Sequence, residues 1–188
     1  SNPMHGPRKI GSPGIAIGNE VIIADDAQVE LPRGEEGEVL VRGPNVMQGY
    51  LNNPDATRAA LTPDGWLRTG DLGRMDPDGY VTITGRLKEL IIKGGENIAP
   101  REVDDALYSH PDVIEAAAFG RPCDEYGQRV EAAVCLRQGT TVQPADLISL
   151  CRDRLGAFKA PDRLHILSEL PKGPSGKIQR ARLSSLTK

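Results

Sequence analysis

The sequence has few of the residues that build disulfide frameworks and metal clusters. Its 188 residues include three cysteines and three histidines. The cysteines are odd in number and never form a C-x-x-C pair, and the histidines lie far apart, so neither a disulfide framework nor a metal cluster is indicated. Unpaired cysteines of this kind are typical of small core residues in a reducing compartment, and we expect a cytoplasmic protein.

Long apolar runs and a basic stripe are also missing. No apolar stretch approaches the length of a membrane span, and the first residues lack a signal-peptide pattern, so we expect no membrane span. The formal net charge of −3 argues against nucleic acid as a partner. A small anion needs only a local positive site, so we expect small phosphates as ligands.

The first part of the chain is rich in short β-branched runs separated by turn residues. Strands are predicted at residues 20–24, 38–42 and 80–84, and a short helix at 53–61. The sequence DPDG at residues 76–79 is typical of a tight turn and predicts a hairpin. We therefore predict a small, twisted, β-rich subdomain over residues 1–86.

The second part of the chain has a mixed periodicity. Helices are predicted at residues 101–109, from 144 onward and at 180–186, and strands at 113–119, 130–136 and 164–167. This order fits a compact lid domain over residues 87–188. The predicted fold class is α+β, a β-rich subdomain followed by an α+β lid.

The two parts meet in the stretch from Gly85 to Pro100, which reads GRLKELIIKGGENIAP. Gly94 and Gly95 permit a left-handed or sharply bent backbone, and Pro100 suits the first turn of a helix. The pattern predicts a charged joint, a short buried strand, a glycine loop and a helix start. Taken alone, such a connection is as often structural as functional.

Three motifs in order give the chain a family resemblance. The joint resembles the hinge motif of the adenylate-forming superfamily, which includes acyl-CoA synthetases, peptide-synthetase adenylation domains and firefly luciferases. Upstream, WLRTGD at residues 66–71 resembles the ribose-binding motif of that family, and PKGPSGKIQR at residues 171–180 resembles its catalytic-lysine motif. Within the superfamily, the sequence most resembles fatty-acyl- and oxalyl-CoA ligases.

The first motif points to a nucleotide. We expect Thr69 and Gly70 to form a tight turn that presents Asp71, because a carboxylate accepts two hydrogen bonds from vicinal ribose hydroxyls. Arg86 resembles the family arginine that also contacts the nucleotide, near the ribose and phosphate. Two structural alternatives remain open: Asp71 capping the hairpin turn, and Arg86 pairing with Glu89 or another nearby carboxylate.

The catalytic-lysine motif contains a loop of glycines and lysines, but it is not a P-loop. A Walker A loop has four residues between its first glycine and its Gly-Lys pair, followed by Ser or Thr, whereas here two intervene and Ile178 follows. A glycine-flanked loop that holds one cation, Lys177, fits better. The alternative is a solvated basic loop with Lys172, Arg180 and Arg182.

The resemblance implies a two-step ligase. A carboxylic acid attacks ATP, supplied with Mg²⁺, to form an acyl-adenylate, and the thiol of coenzyme A then displaces AMP. Lys177 would serve as the catalytic residue of the first step, and Lys88 lies at the position of the family's hinge residue. Lys93, Gly94 and Gly95 would line the coenzyme A tunnel after a domain rotation.

The remaining parts of such an enzyme are not in this sequence. The chain enters turn-rich sequence directly at Ser1, so we expect a missing N-terminal large domain with the phosphate loop, the Mg²⁺-supporting acid and the acyl pocket. The fragment alone is therefore expected to be inactive. A peptide-synthetase adenylation domain and a non-catalytic binding module are the alternatives.

Overall fold

The computed structural model describes residues 1–187. Their internal contacts divide the chain into two compact units, Ser1–Lys88 and Glu89 onward. None of the helices in the described part is long and apolar enough to cross a membrane.

The first unit is built on a four-stranded antiparallel sheet. Its elements are β1 (Glu20–Ala24), β2 (Glu36–Arg42), α1 (Pro54–Ala60), β3 (Leu67–Met75) and β4 (Val81–Arg86). The strands lie in chain order, β1-β2-β3-β4. Their alternating apolar residues bury one small core, which contains Ile23, Val39, Met75 and Val81. The predicted strands and helix are all present.

Local capping explains where these elements begin and turn. The Asn53 side chain accepts a 3.0 Å hydrogen bond from the backbone N–H of Ala56, which satisfies a free donor at the start of α1. In the hairpin between β3 and β4, one carboxylate oxygen of Asp76 accepts from the backbone N–H groups of Asp78 and Tyr80, at 3.0 and 2.9 Å. The predicted DPDG turn is confirmed.

The second unit combines a five-stranded sheet with three helices. After a 3₁₀ turn (Leu87–Glu89) come β5 (Ile91–Lys93), β6 (Glu96–Ile98), α2 (Pro100–Tyr108), β7 (Val113–Cys123), β8 (Gly127–Leu136), α3 (Pro144–Lys159), β9 (Arg163–Ile166) and α4 (Arg180–Leu186). Strand β8 lies between antiparallel β7 and parallel β9. The β5–β6 hairpin joins β8 where Lys93 pairs with Gly127.

Both faces of this sheet are covered. Alternate residues of β7 point in opposite directions, so Ala116 and Ala118 pack in the core beneath α2 and α3, while Ala117 and Phe119 pack in a second cluster with Leu183 of α4. Strands buried on both faces read as continuous apolar runs, which is the pattern of β7 and β8. The predicted α+β class is confirmed.

One element of the joint differs from the prediction. The sequence pattern led from the glycine loop straight into a helix, but the structure places β6 between Gly95 and α2. Gly94 and Gly95 have φ values of 58° and 86°, as the two central residues of a tight hairpin with left-handed residues at both positions require. A three-residue strand is too short for its periodicity to be seen in the sequence.

Candidate functional site

Asp71 and Arg86, the two predicted nucleotide ligands, lie directly opposite each other on β3 and β4. Arg86 Nε is 2.9 Å from Asp71 Oδ1. The Asp71 side chain is 27% exposed and that of Arg86 58%, so both retain polar atoms facing solvent. The cap on the hairpin turn is Asp76, so the alternative that Asp71 serves as this cap is wrong.

The backbone before Asp71 is a bulge inside a continuous strand, so the tight turn predicted at Thr69 and Gly70 is wrong. The pairing of β2 with β3 shifts between Glu38 and Leu40, and Gly70 has a left-handed φ of 69°. Bulges bend a strand and change the direction of a side chain. Because the turn signal of Thr-Gly is shared by bulges, the sequence alone could not separate the two.

Buried polar contacts hold this bulge. Glu38 is 8% exposed, and its carboxylate accepts from the backbone N–H of Gly70 at 3.0 Å and from Arg68 Nε at 3.1 Å. The hydroxyl of Thr69 donates to the carbonyl of Val39 and accepts from the backbone N–H of Asp71. Sequence reasoning missed Glu38, because nothing in a strand sequence shows which carboxylate turns inward.

The Gly94–Gly95 hairpin forms an open backbone tip flanked by two aromatic side chains. A Cβ on Gly94 would lie 3.5 Å from Tyr126 Cδ1 and 3.9 Å from Phe158 Cζ, whereas one on Gly95 would meet nothing within 4 Å. Tyr126 and Phe158 are each 39% exposed. Sequence reasoning missed both, since they are 31 or more residues from the glycines along the chain.

Lys93 lies beneath this tip with its ammonium group engaged. The side chain is 7% exposed, and Nζ contacts Asp162 Oδ2 at 3.0 Å and the carbonyl oxygen of Phe158 at 3.1 Å. Nζ also lies 5.3 Å from the centre of the Phe158 ring. The ammonium therefore fixes the end of α3 to the hairpin, and the glycine backbone is the accessible part of the predicted tunnel segment.

Lys177 lies on an ordered loop closed by a short backbone ladder. Lys172 pairs with Ile178, and the backbone N–H groups of Gly173 and Gly176 donate to the carbonyls of Lys177 and Gly173 at 2.8 and 2.9 Å. The side chain of Lys177 is exposed, and no described residue forms an ion pair with its ammonium. By contrast, the ammonium of Lys172 pairs with Glu115 on β7.

Lys88, the predicted hinge residue, occupies the middle of the 3₁₀ turn. It is exposed and is the last residue of the first compact unit. The structure therefore gathers Asp71 and Arg86 in the first unit, and places Lys93, Gly94, Gly95 and Lys177 in the second.

Two family models match the chain. Residues 1–51 match the model of the AMP-binding enzyme, and residues 102–177 match that of the AMP-binding enzyme C-terminal domain. The three motifs described above are thus accompanied by similarity on either side of the joint.

Named relatives and solved structures agree with these models. The sulfoacetate–CoA ligase of Cupriavidus necator is 50% identical over 97% of this chain and 36% of its own length. The oxalate–CoA ligase of Arabidopsis thaliana is 48% identical over 96% of this chain and 35% of its own. ATP-bound MatB from Rhodopseudomonas palustris superposes with a TM-score of 0.93 at 36% identity, over 100% of this chain and 38% of its own. The chain spans about a third of the length of these relatives.

Proposed function

Since the chain belongs to the adenylate-forming superfamily of AMP-binding enzymes, we propose that it is the C-terminal part of an AMP-forming acyl-CoA ligase. Residues 1–86 would complete a large N-terminal domain, and residues 87–188 would form the mobile lid. The complete enzyme would activate a carboxylic acid with ATP and transfer the acyl group to coenzyme A.

The observation that carries this proposal is the state of Lys177. A lysine that is exposed and without an ion-pair partner among residues 1–187, on a loop held by backbone hydrogen bonds, is a cation available to a ligand. In the first step Lys177 would stabilise the charge that builds on the carboxylate and α-phosphate oxygens. A loop that is already ordered lowers the reorganisation needed to place that charge.

The pair of Asp71 and Arg86 would hold the nucleotide during this step. The remaining carboxylate oxygen of Asp71 can accept from ribose hydroxyls, and the guanidinium of Arg86 has further donors for a phosphate. ATP would enter with Mg²⁺ as its substrate complex. The 2.9 Å contact between the two side chains orients both groups before the nucleotide arrives.

In the second step the glycine tip would approach the reaction centre. Rotation about Lys88 in the 3₁₀ turn would withdraw Lys177 and bring up Gly94 and Gly95, whose backbone can line a narrow passage for the pantetheine arm of coenzyme A. The side chain of Lys93 would support this passage from below through Asp162 and Phe158.

The carboxylic acid that the complete enzyme would activate is a short polar acid or a fatty acid. Two relatives, each about half identical in sequence to this chain, are named for different acids, sulfoacetate and oxalate. Oxalate and fatty acids, both expected from the motifs, are therefore proposed as candidate substrates, and a role in fatty acid metabolism stays a proposal. The three free cysteines support localisation in a reducing compartment such as the cytoplasm.

The test uses the full-length protein and separates the two half-reactions. Lys177→Ala should slow adenylate formation, measured by pyrophosphate exchange, by roughly 10²–10³-fold, the usual loss for one preorganised contact to a transition state. Release of the thioester from preformed acyl-adenylate and coenzyme A should keep its rate. Arg182→Ala, which removes another exposed cation five residues further on, should leave both steps unchanged.

If the Lys177→Ala enzyme consumed preformed adenylate as slowly as it formed adenylate, Lys177 would not belong to the first step. A full-length wild-type protein that showed neither half-reaction with any carboxylic acid would refute the ligase proposal itself.

A further inference from the structure

Arg180 lies three residues after Lys177 and is the most extensively bonded residue near the loop. Its guanidinium makes contacts in three directions: Nε lies 3.0 Å from Glu89 Oε2, Nη1 donates to the carbonyl oxygen of Ala118 at 2.9 Å, and Nη2 pairs with Asp104 Oδ2. The side chain is 22% exposed. The alternative considered for the catalytic-lysine motif, a solvated basic loop that includes Arg180, is therefore wrong for this residue.

The partners of Arg180 belong to a buried network. The carboxylate of Asp104 on α2 is 7% exposed and also accepts from the backbone N–H of Ala118 at 2.7 Å. Burial raises the pKa of Asp104, and the hydrogen bond from Arg180 opposes that rise. Removing ions from water is costly, so such a pair contributes little net stability, while loss of one partner leaves an uncompensated charge.

Glu89 connects this network to the 3₁₀ turn. It is the last residue of the 3₁₀ turn and the first residue of the second unit, directly after Lys88. The Glu89 side chain is 44% exposed, so its ion pair with Arg180 contributes little to the free energy of folding. The contact nevertheless joins the start of the unit to the residue that ends the Lys177 loop, 91 positions later.

We propose that Arg180 is a positioning residue, which ties the Lys177 loop to Glu89 so that Lys177 follows the movement of the 3₁₀ turn. The inference rests on the proposed function. The loop is fixed at its other end by Lys172, which pairs with Glu115 on β7. Because both ends of the loop are fixed to the second unit, Lys177 moves together with the lid and not independently of it.

A planar guanidinium is needed for this role. Only a fork of several fixed donors reaches Glu89, Asp104 and the carbonyl of Ala118 together, whereas a lysine ammonium at the same place is a single point charge. Arg180→Lys therefore keeps the buried positive charge and gives up the geometry. Glu89→Gln makes the complementary change at an exposed position, without burying a charge.

The experiment follows both half-reactions in the full-length protein carrying Arg180→Lys, Glu89→Gln or Arg182→Ala. In Arg180→Lys the kcat of pyrophosphate exchange should fall by roughly 10- to 100-fold, the scale of a small misplacement of a catalytic group. The KM for ATP and thioester release from preformed adenylate should be unchanged. Glu89→Gln should show a smaller loss in the same step, with wild-type thermal unfolding.

Arg182→Ala is the matched control, because Arg182 lies on the same helix, is exposed and bonds only to Gln179 among the contacts of its guanidinium in the described residues. It should behave like the wild type. If Arg180→Lys or Glu89→Gln matched this control, or lowered both half-reactions equally, the positioning role would be overturned while the ligase proposal stood. A wild-type enzyme without pyrophosphate exchange would overturn both.

Discussion

At the scale of single residues, the effect of changing Asp71 in the Asp71–Arg86 pair can distinguish a role in ligand binding from a role in folding stability. The contact is well formed at 2.9 Å, but Arg86 is 58% exposed. Exposed ion pairs contribute at most about 1 kcal/mol to folding. Any large effect of changing Asp71 must therefore come from a ligand.

We expect Asp71→Asn in the full-length protein to raise the KM for ATP roughly 10- to 100-fold, because a hydrogen bond to a charged group contributes about 1.5–3 kcal/mol. Thermal unfolding should change little. Glu36→Gln is the control, since Glu36 and Arg74 form a similarly exposed pair on the same sheet at 3.2 Å. Equal KM values for the two variants would remove Asp71 from the nucleotide site.

The three cysteines should differ in reactivity although the sequence treats them alike. Burial raises the pKa of Cys151 to about 11 and also raises the pKa of Cys135, whereas the backbone N–H of Tyr126, with a further contribution from Arg129, lowers the pKa of Cys123. The thiolate is the nucleophile, so a lower pKa and greater access both favour Cys123.

We expect iodoacetamide at about pH 8 to modify Cys123 first and Cys151 last, as measured by mass spectrometry of the peptides. In denaturant the three rates should converge. Faster labelling of Cys151 than of Cys123 in the native chain would contradict this order.

The raised pKa of Cys151 also has a consequence for stability. The folded state holds the Cys151 proton above pH 9 while the unfolded state releases it, so the free energy of unfolding should fall as pH rises from about 9 towards 11.

At the scale of elements, the β5–β6 hairpin combines a backbone requirement with a proposed functional one. Gly95 has a φ of 86° and open space around its missing side chain. Gly139, in the loop after β8, has a φ of 82° and equally open space. The two positions therefore impose the same conformational cost on an added Cβ and differ in their place in the fold.

Gly95→Ala and Gly139→Ala should each lower the free energy of unfolding by about 1–2 kcal/mol, the cost of a left-handed conformation for an L-residue. In the full-length protein only Gly95→Ala should slow thioester release from preformed adenylate, because its methyl group would narrow the proposed pantetheine passage. Chemical denaturation and the half-reaction assay measure the two effects. The same thioester rate in both variants would show that the tip does not line the passage.

At the scale of the whole molecule, the residues proposed to act in adenylate formation are not all in one compact unit. Asp71 and Arg86 belong to one unit and Lys177 to the other, and the chain spans about a third of its relatives. An ATP site needs a cradle for its phosphates as well as single ligands to the ribose and α-phosphate.

The isolated chain should therefore show no thioester formation and should bind ATP with a Kd weaker than about 1 mM, or less than about 4 kcal/mol of binding free energy. Calorimetry with MgATP and pyrophosphate exchange test this directly. Full-length protein assayed in parallel is the positive control. Turnover by the isolated chain would mean that residues 1–188 hold a complete site.

The sequence by itself determined the order of elements wherever a local signal is strong. The cap at Asn53, the DPDG turn and Pro100 at the start of α2 act through neighbouring backbone atoms, so their effect can be read from adjacent letters. The three motifs, taken in order, likewise carried the resemblance to the adenylate-forming superfamily, which the family models and relatives confirm.

Tertiary structure alone decided the contacts between distant residues. The bulge at Gly70 depends on Glu38, the β6 strand depends on pairing with β5, and the bonded state of Arg180 depends on Asp104 and Glu89. Each partner lies far away in the sequence or in an element too short to show a period. The sequence therefore showed which side chains are present, and packing decided which of them are engaged and left Lys177 free of an ion pair within the described chain, because burial and pairing are set by non-local geometry.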